Sequence, residues 1–310
     1  MSVALPKQGL RHIPVKGLLY MIGGVFFLSV MDASAKWLTT GYPITELMFL
    51  GRLPAPLFAI ALAMANGGLA TLKTHQFGWN FVRTMFGIAT MATFFYALKL
   101  LPLADTVAIC FVAPLIMCAL SVPILKEKIG PRRWAAILVG FAGVIVIVQP
   151  GGTGLGLGAV LALIAAFTYA VSINISRKIS TTESSYSMLF WYSVILILGS
   201  GTLMPFVWVT PRGSDILAFC IMSFSATVGQ FMLTQAYRYG EISFLAPLEY
   251  TALIWALLFG VLFWNQFPNA IVLFGSVIII ASNIYVVHRE TMRRGKKADP
   301  ATAAAHVPEP

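Results

Sequence analysis

Ten apolar runs dominate the chain, each near the roughly 20 residues that a helix needs to cross a bilayer. They occupy residues 17–38, 46–66, 80–98, 104–124, 133–149, 157–177, 187–208, 215–237, 243–264 and 268–287. Turn formers separate them, as at Gly41-Tyr42-Pro43, Asn66-Gly67-Gly68, Gln149-Pro150-Gly151-Gly152 and Asn265-Gln266-Phe267-Pro268. A membrane β-barrel would show alternating segments of about ten residues. These runs are twice that length and apolar all round, which predicts helices. Composition closes the other routes: 58% of the residues are hydrophobic and 10% charged, against roughly a quarter charged in a soluble domain. That is too little charge to coat a soluble enzyme, and it excludes a coiled coil or a disordered chain.

The formal net charge is +10, and its distribution decides what it means. Placing the N-terminus in the cytoplasm and alternating the ten spans puts 17 of the 21 Lys and Arg residues on the cytoplasmic side. Lys36, Lys99 and Arg212 fall on the other side, and Arg52 inside a span. The asymmetry is the positive-inside pattern, so the charge orients the protein and does not announce nucleic acid. Both termini are expected in the cytoplasm. The first residues are polar and basic, with no cleavage pattern behind them, so no removable signal is expected. Cys110, Cys118 and Cys220 all lie in apolar stretches and are read as packing residues. The glycines between Gly151 and Gly158 do not fit a phosphate loop and read as a link between halves.

Ten spans divide into five and five. A shift of 139 residues pairs Ala97 with Ala236, Lys99 with Arg238, Phe111 with Tyr250 and Glu127 with Gln266. An odd number of spans per half makes the two halves enter the membrane in opposite senses. The expected fold is therefore an all-α integral membrane protein, ten transmembrane helices as two inverted five-helix repeats. The expected boundaries are a cytoplasmic segment at 1–16, repeats at 17–149 and 150–287, and a basic, disordered tail at 288–310.

Particular pieces then carry a resemblance. Met31-Asp32-Ala33 with Lys36 closes the first span, and Arg52 stands in the second. Phe94-Phe95-Tyr96-Ala97 leads to Leu101-Pro102-Leu103-Ala104-Asp105, followed by Phe111-Val112-Ala113-Pro114 and by Glu127 to Trp134. The second half has Gln235-Ala236-Tyr237-Arg238-Tyr239 and Ala246-Pro247-Leu248-Glu249-Tyr250. In their order and spacing, over residues 17–287, these resemble the drug/metabolite transporter superfamily in its ten-helix EamA type, and the branch with bacterial riboflavin and S-adenosylmethionine uptake proteins. Asn265-Gln266 departs from it, where the family often carries an acidic residue. The resemblance implies two half-bundles rocking around a midplane cavity lined by the first, third, fourth, sixth, eighth and ninth spans.

Charges at membrane depth are costly and mark functional candidates. Glu249 follows Pro247, which removes a backbone donor, so it is a candidate to bind a proton or a cationic group. Asp32 and Lys36 are spaced i,i+4 on one face, as a gate, a proton relay or a self-satisfied pair. Arg52 is a snorkelling anchor, an ion-pair partner of Asp32 or Glu46, or an anion-attracting residue at a cavity mouth. Thr227, Gln230 and Thr234 share a helix face and form a polar wall or interhelical glue. Tyr96, Phe111, Tyr169, Tyr250 and Trp255 are deep aromatics that suit a flat or amphipathic solute, or plain packing. Substrate contact is assigned to Tyr96, Phe111, Tyr169, Gln230, Glu249, Tyr250 and Trp255, and coupling or gating to Asp32, Lys36, Arg52 and Glu249.

The four histidines lie outside the spans or at their ends, and no catalytic or nucleotide motif stands at depth, so neither an enzyme nor a cofactor is expected. The reading is a secondary transporter in the bacterial inner membrane that acts by alternating access. Riboflavin uptake is preferred; S-adenosylmethionine uptake or proton-coupled export of amino acids or drugs is the alternative, and a structural or receptor role the non-transport one. Expected partners are a small-molecule substrate and the bilayer, with proton coupling a candidate and monomer or homodimer both open.

Overall fold

Prolines decide where the helices break. In the computed structural model, which describes residues 15–126, 129–149, 156–180, 182–239, 245–267 and 269–298, every regular element is helical. The helices are α1 Val15–Leu38, α2 Ile44–Arg52, α3 Pro54–Ala65, α4 Phe77–Leu100, α5 Leu103–Cys110, α6 Ala113–Leu125 and α7 Pro131–Val148. Then follow α8 Gly156–Ile179, α9 Ser185–Gly201, α10 Met204–Val207, α11 Gly213–Tyr239, α12 Thr251–Trp264 and α13 Ala270–Ala298. Pro54 ends α2 and begins α3, and Pro114 divides α5 from α6. A 3₁₀ turn at Ala246–Tyr250, with Pro247 in its first positions, leads into α12.

Among the described residues, eight segments are long and apolar enough to cross a membrane: Val15–Leu38, Ile44–Ala65, Phe77–Leu100, Leu103–Leu125, Pro131–Val148, Gly156–Ile179, Gly213–Leu233 and Ala270–His288. The other two expected spans are shorter apolar helices, Ser185–Gly201 and Leu248–Trp264. The first has 17 residues, or about 25 Å against a hydrocarbon core of about 30 Å. A turn at Thr202-Leu203 and Pro205 stops it early, and the 3₁₀ turn shortens the second. The last helix runs to Ala298, past the boundary expected at 287, because no proline or glycine stands in it between 288 and 294. The segment 1–14, Glu127-Lys128, the glycine link at 150–155, residues 240–244 and the tail at 299–310 lie outside the described residues, as do the side chains of Thr234 and Pro247.

The surface is apolar where a soluble protein would be polar. Leu57, Leu138, Phe206 and Phe274 are largely exposed, as lipid-facing side chains are. The interior depends on close approach. Helices α7 and α13 pack along each other, and a Cβ at Gly143 would stand 3.0 Å from the Gly275 carbonyl oxygen. Small residues permit this contact, which stabilises helix pairs in lipid through packing. One core joins Ala108, Leu115, Ile137, Ala166 and Ile279 from α5, α6, α7, α8 and α13. A second joins Leu38, Leu47, Leu98, Leu103 and Met222 from α1, α2, α4, α5 and α11.

The breaks are stitched by side chains. The turn at Phe111-Val112 leaves the Phe111 carbonyl without its ordinary helical donor, because the Leu115 N–H bonds to Val112 instead. Asn283 Nδ2 of α13 donates to that carbonyl at 2.8 Å. We expect Asn283→Ala to lower stability by about 1 kcal/mol, read as a drop in detergent melting temperature. An unchanged melting temperature would show that the Phe111 carbonyl needs no cap.

At one end of the bundle Glu183, in the turn before α9, caps the start of α4. Its Oε1 accepts the His75 and Gln76 N–H groups at 2.6 and 2.8 Å, and Oε2 accepts the Ser187 hydroxyl at 3.0 Å. Burial pushes this carboxyl up, but the hydrogen bonds from His75, Ser187, Thr74 and Gln76 outweigh it and hold it below the usual Glu range. A depressed folded value contributes stability above the unfolded value of about 4.3, lost as the pH falls through the folded value. Glu183→Gln is therefore destabilised by about 1–3 kcal/mol at pH 7, and its deficit shrinks below about pH 4. Melting curves of both proteins at pH 7 and pH 3.5 test this; a deficit that grows on acidification contradicts it.

Candidate functional site

One chamber of about 420 Å³ opens between α3, α4, α8, α9 and α11. Its wall is built from helical stripes. Arg83, Gly87 and Thr90 stand at i, i+4 and i+7 on α4, and Tyr169, Ser172 and Ser176 at i, i+3 and i+7 on α8. Tyr186 and Tyr192 come from α9, Thr227, Gln230 and Phe231 from α11, and Arg52 from the last turn of α2. The floor mixes hydroxyls with aromatic rings, the composition of a site for an amphipathic small molecule.

The polar groups hold one another in place. Arg83 is buried, and its Nη1 donates to Ser176 Oγ at 3.1 Å. Its Nη2 donates to the Met188 carbonyl at 2.5 Å, and its guanidinium lies 5.0 Å from the Tyr192 ring centre. Ser172 Oγ donates to the Arg83 carbonyl at 3.1 Å, and Thr90 Oγ1 to Thr168 Oγ1 at 2.9 Å. Arg52 makes one polar contact, from Nη2 to the Met91 sulfur at 3.8 Å, and its Nε is buried without a partner.

The chamber lies toward the end of the bundle that carries Glu183, because its lining falls in the first turns of α4 and α9 and the later turns of α8 and α11. The opposite end is clasped. Tyr42 Oη donates to Asp215 Oδ2 at 2.8 Å and accepts the Arg212 N–H at 2.9 Å, and Glu46 Oε2 accepts the Val209 N–H at 3.2 Å. Lys36 belongs to the same end. Its Nζ donates to the Leu98 carbonyl at 2.7 Å and also to the Leu101 carbonyl. Leu98 needs that donor because the residue four positions on is Pro102, which has no N–H.

Arg52, Tyr169 and Gln230 are brought together in the chamber, with Thr227 beside them. Tyr169 is 45% exposed although it faces inward; its accessible surface opens into the chamber. The expected Asp32–Lys36 pair does not form. Lys36 serves the carbonyls of the α4–α5 break and lies in the field of Asp105, while Asp32 acts on the Cys110 thiol. Arg52 pairs with neither Asp32 nor Glu46. Phe111 and Tyr250 meet edge to face at 5.1 Å, at the two helix breaks, and Glu249 acts electrostatically on Tyr250 and Tyr169. Trp255 packs against Phe26 and Phe259, and Tyr96 is 51% exposed and outside the chamber wall.

Two departures have physical causes. The wall comes from the second, third, sixth, seventh and eighth apolar segments, not from the first, fourth and ninth. Segment one is closed against α11, and the Phe111–Tyr250 contact fills the space between the fourth and ninth. Arg83, one of the 17 bases that the alternation of spans puts on the cytoplasmic side, sits inside the bundle because α4 begins at Phe77. Its stripe with Gly87 and Thr90 is the signal that exposes it, as is the Tyr169, Ser172 and Ser176 stripe on α8.

The EamA-like transporter family model matches residues 15–149 and again 156–287. A riboflavin transporter of Rhizobium johnstonii is 25% identical over 287 residues, covering 92% of this chain and 95% of that protein. An S-adenosylmethionine uptake transporter of Rickettsia bellii is 27% identical, covering 90% and 97%. A pseudopaline exporter of Pseudomonas aeruginosa is 27% identical, covering 86% and 94%. A crystal structure at 22% identity aligns with a TM-score of 0.62 over 89% of this chain and 98% of that one, a likeness of fold.

Proposed function

We propose a substrate and a mechanism from one premise: the chain belongs to the EamA-like transporter family and is a multi-pass membrane transporter. It moves a flat, amphipathic metabolite across the bacterial inner membrane by alternating access, with riboflavin uptake the leading reading. The observation that carries this is the chamber itself, about 420 Å³ and walled by tyrosines and hydroxyls, with a hydrogen-bonded clasp at the opposite end of the bundle. A chamber set toward one end of the bundle, with the other end clasped, fits alternating access.

The ten-helix reading, with inverted repeats at 17–149 and 150–287, has further support. The family model matches twice. Lys126 and Asn265, 139 residues apart, both cap helices in the left-handed conformation, at φ 57° and 51°. Phe111 and Tyr250, with the same offset, stand at the two helix breaks. Asn265 suits this position because its short side chain tolerates positive φ. With both termini cytoplasmic, as the charge distribution favours, the chamber faces the cytoplasm and the clasp faces outward.

Glu249, beside Tyr169 and Tyr250, is the candidate for proton coupling. S-adenosylmethionine is the second reading, favoured by the Rickettsia relative and by Glu249. Cells that carry the protein should accumulate labelled riboflavin faster than cells without it, and Glu249→Gln should lose the pH dependence of that uptake. Equal accumulation overturns the riboflavin reading, and a variant with the parent's pH profile removes Glu249 from coupling.

A further inference from the structure

The chamber wall contains two guanidinium groups, Arg52 and Arg83, and among the described residues no carboxylate. Asp32, Glu46, Asp105 and Glu249 are not among its lining residues; Glu249 acts electrostatically on Tyr169 of the wall. Two cations in a pocket at membrane depth attract an anion strongly, because the surroundings screen them far less than water does. The two are not equivalent. Arg83 is held on two nitrogens by Ser176 and Met188 and rests on Tyr192, so it is a fixed charge. Arg52 lines the chamber and, among the described residues, its terminal nitrogens make only a weak contact from Nη2 to the Met91 sulfur, so that end of the guanidinium remains available. A guanidinium fork matches carboxylate and phosphate oxygens in pairs.

We propose that this chamber takes an organic anion, with the carboxylate or phosphate of the solute bound by Arg52 in the field of Arg83 and its ring lying against Tyr169, Tyr186 and Tyr192. This rests on the reading of the chamber as the substrate site and names the class of solute it selects. It favours a phosphorylated or carboxylated aromatic metabolite over its neutral parent, and disfavours a net cation.

Two matched pairs test it on the purified full chain: riboflavin 5′-phosphate against riboflavin, and indole-3-acetate against indole-3-acetamide. Within a pair the ring stays constant and the anion comes or goes. The charged member should bind roughly tenfold tighter or more. Arg52→Gln should cut that ratio severalfold, and Arg52→Lys should restore part of it. A merely structural role for Arg52 would lower both affinities and leave the ratio. Preference in the indole pair without any flavin binding would overturn the flavin reading and uphold this one. Equal binding within each pair, preference for the neutral member, or no binding of either anion by folded protein would overturn it.

Discussion

Replacing Gly87 with leucine is expected to abolish transport while leaving the bundle folded. Gly87 lies on the chamber wall, and a Cβ built there would stand 2.5 Å from both Cε2 and Oη of Tyr192. The ring must give way, and the open direction is the chamber. Moving it also removes the face on which the Arg83 guanidinium rests, 5.0 Å from the ring centre. Overpacking of this kind costs about 1–3 kcal/mol, which converts to about tenfold to a hundredfold in substrate affinity where the strain falls on the site. Alanine should give a smaller loss in the same direction. Uptake and melting temperature measured on the same variants separate the cases. Leucine at 87 with full uptake would place the substrate path elsewhere, and a loss explained by unfolding would show in the melting curve.

The largest stability effect is expected at Lys36. This buried ammonium serves two carbonyls at the α4–α5 break and lies in the field of Asp105, whose Oδ1 is buried without a hydrogen bond. Lys36→Met leaves the Leu98 carbonyl with no donor, since Pro102 cannot supply one, and leaves Asp105 without its countercharge. Leaving a buried acceptor without its donor costs about 1–3 kcal/mol, more for a charged group. Adding Asp105→Asn should restore part of the loss, because the charge is relieved while the two carbonyls stay unpaired. A single variant as stable as the parent, or a double variant that loses the full sum, would contradict this account. The trans-spacing of the pair in sequence, 69 residues apart, is why it escaped the i,i+4 pattern that drew attention to Asp32.

Period and hydropathy made the helical class readable, since a bilayer demands long apolar helices. The ends of those helices were less readable, because Thr202-Leu203 shortens one of them with no charge to mark the stop and the turn at Ala246–Tyr250 lies within an apolar run. Arg52, Tyr169 and Gln230 line one chamber, and each stands out in the sequence as a polar group within an apolar run. Arg83 was misplaced because a base six residues into a helix looks like an interfacial anchor until its neighbours on other helices are known. Phe111 and Tyr250 were rightly placed together, yet their rings touch and so close a space that symmetry alone would have left open.

The account stands on the chamber as the place where substrate binds, and site-directed labelling tests that most directly. Thr90→Cys, in a background with Cys110, Cys118 and Cys220 replaced by alanine, places a single thiol on the chamber wall. A small thiol reagent should label it, and riboflavin or riboflavin 5′-phosphate should slow the labelling in proportion to occupancy. Labelling that proceeds at one rate with and without a substrate the protein is shown to transport would contradict the account.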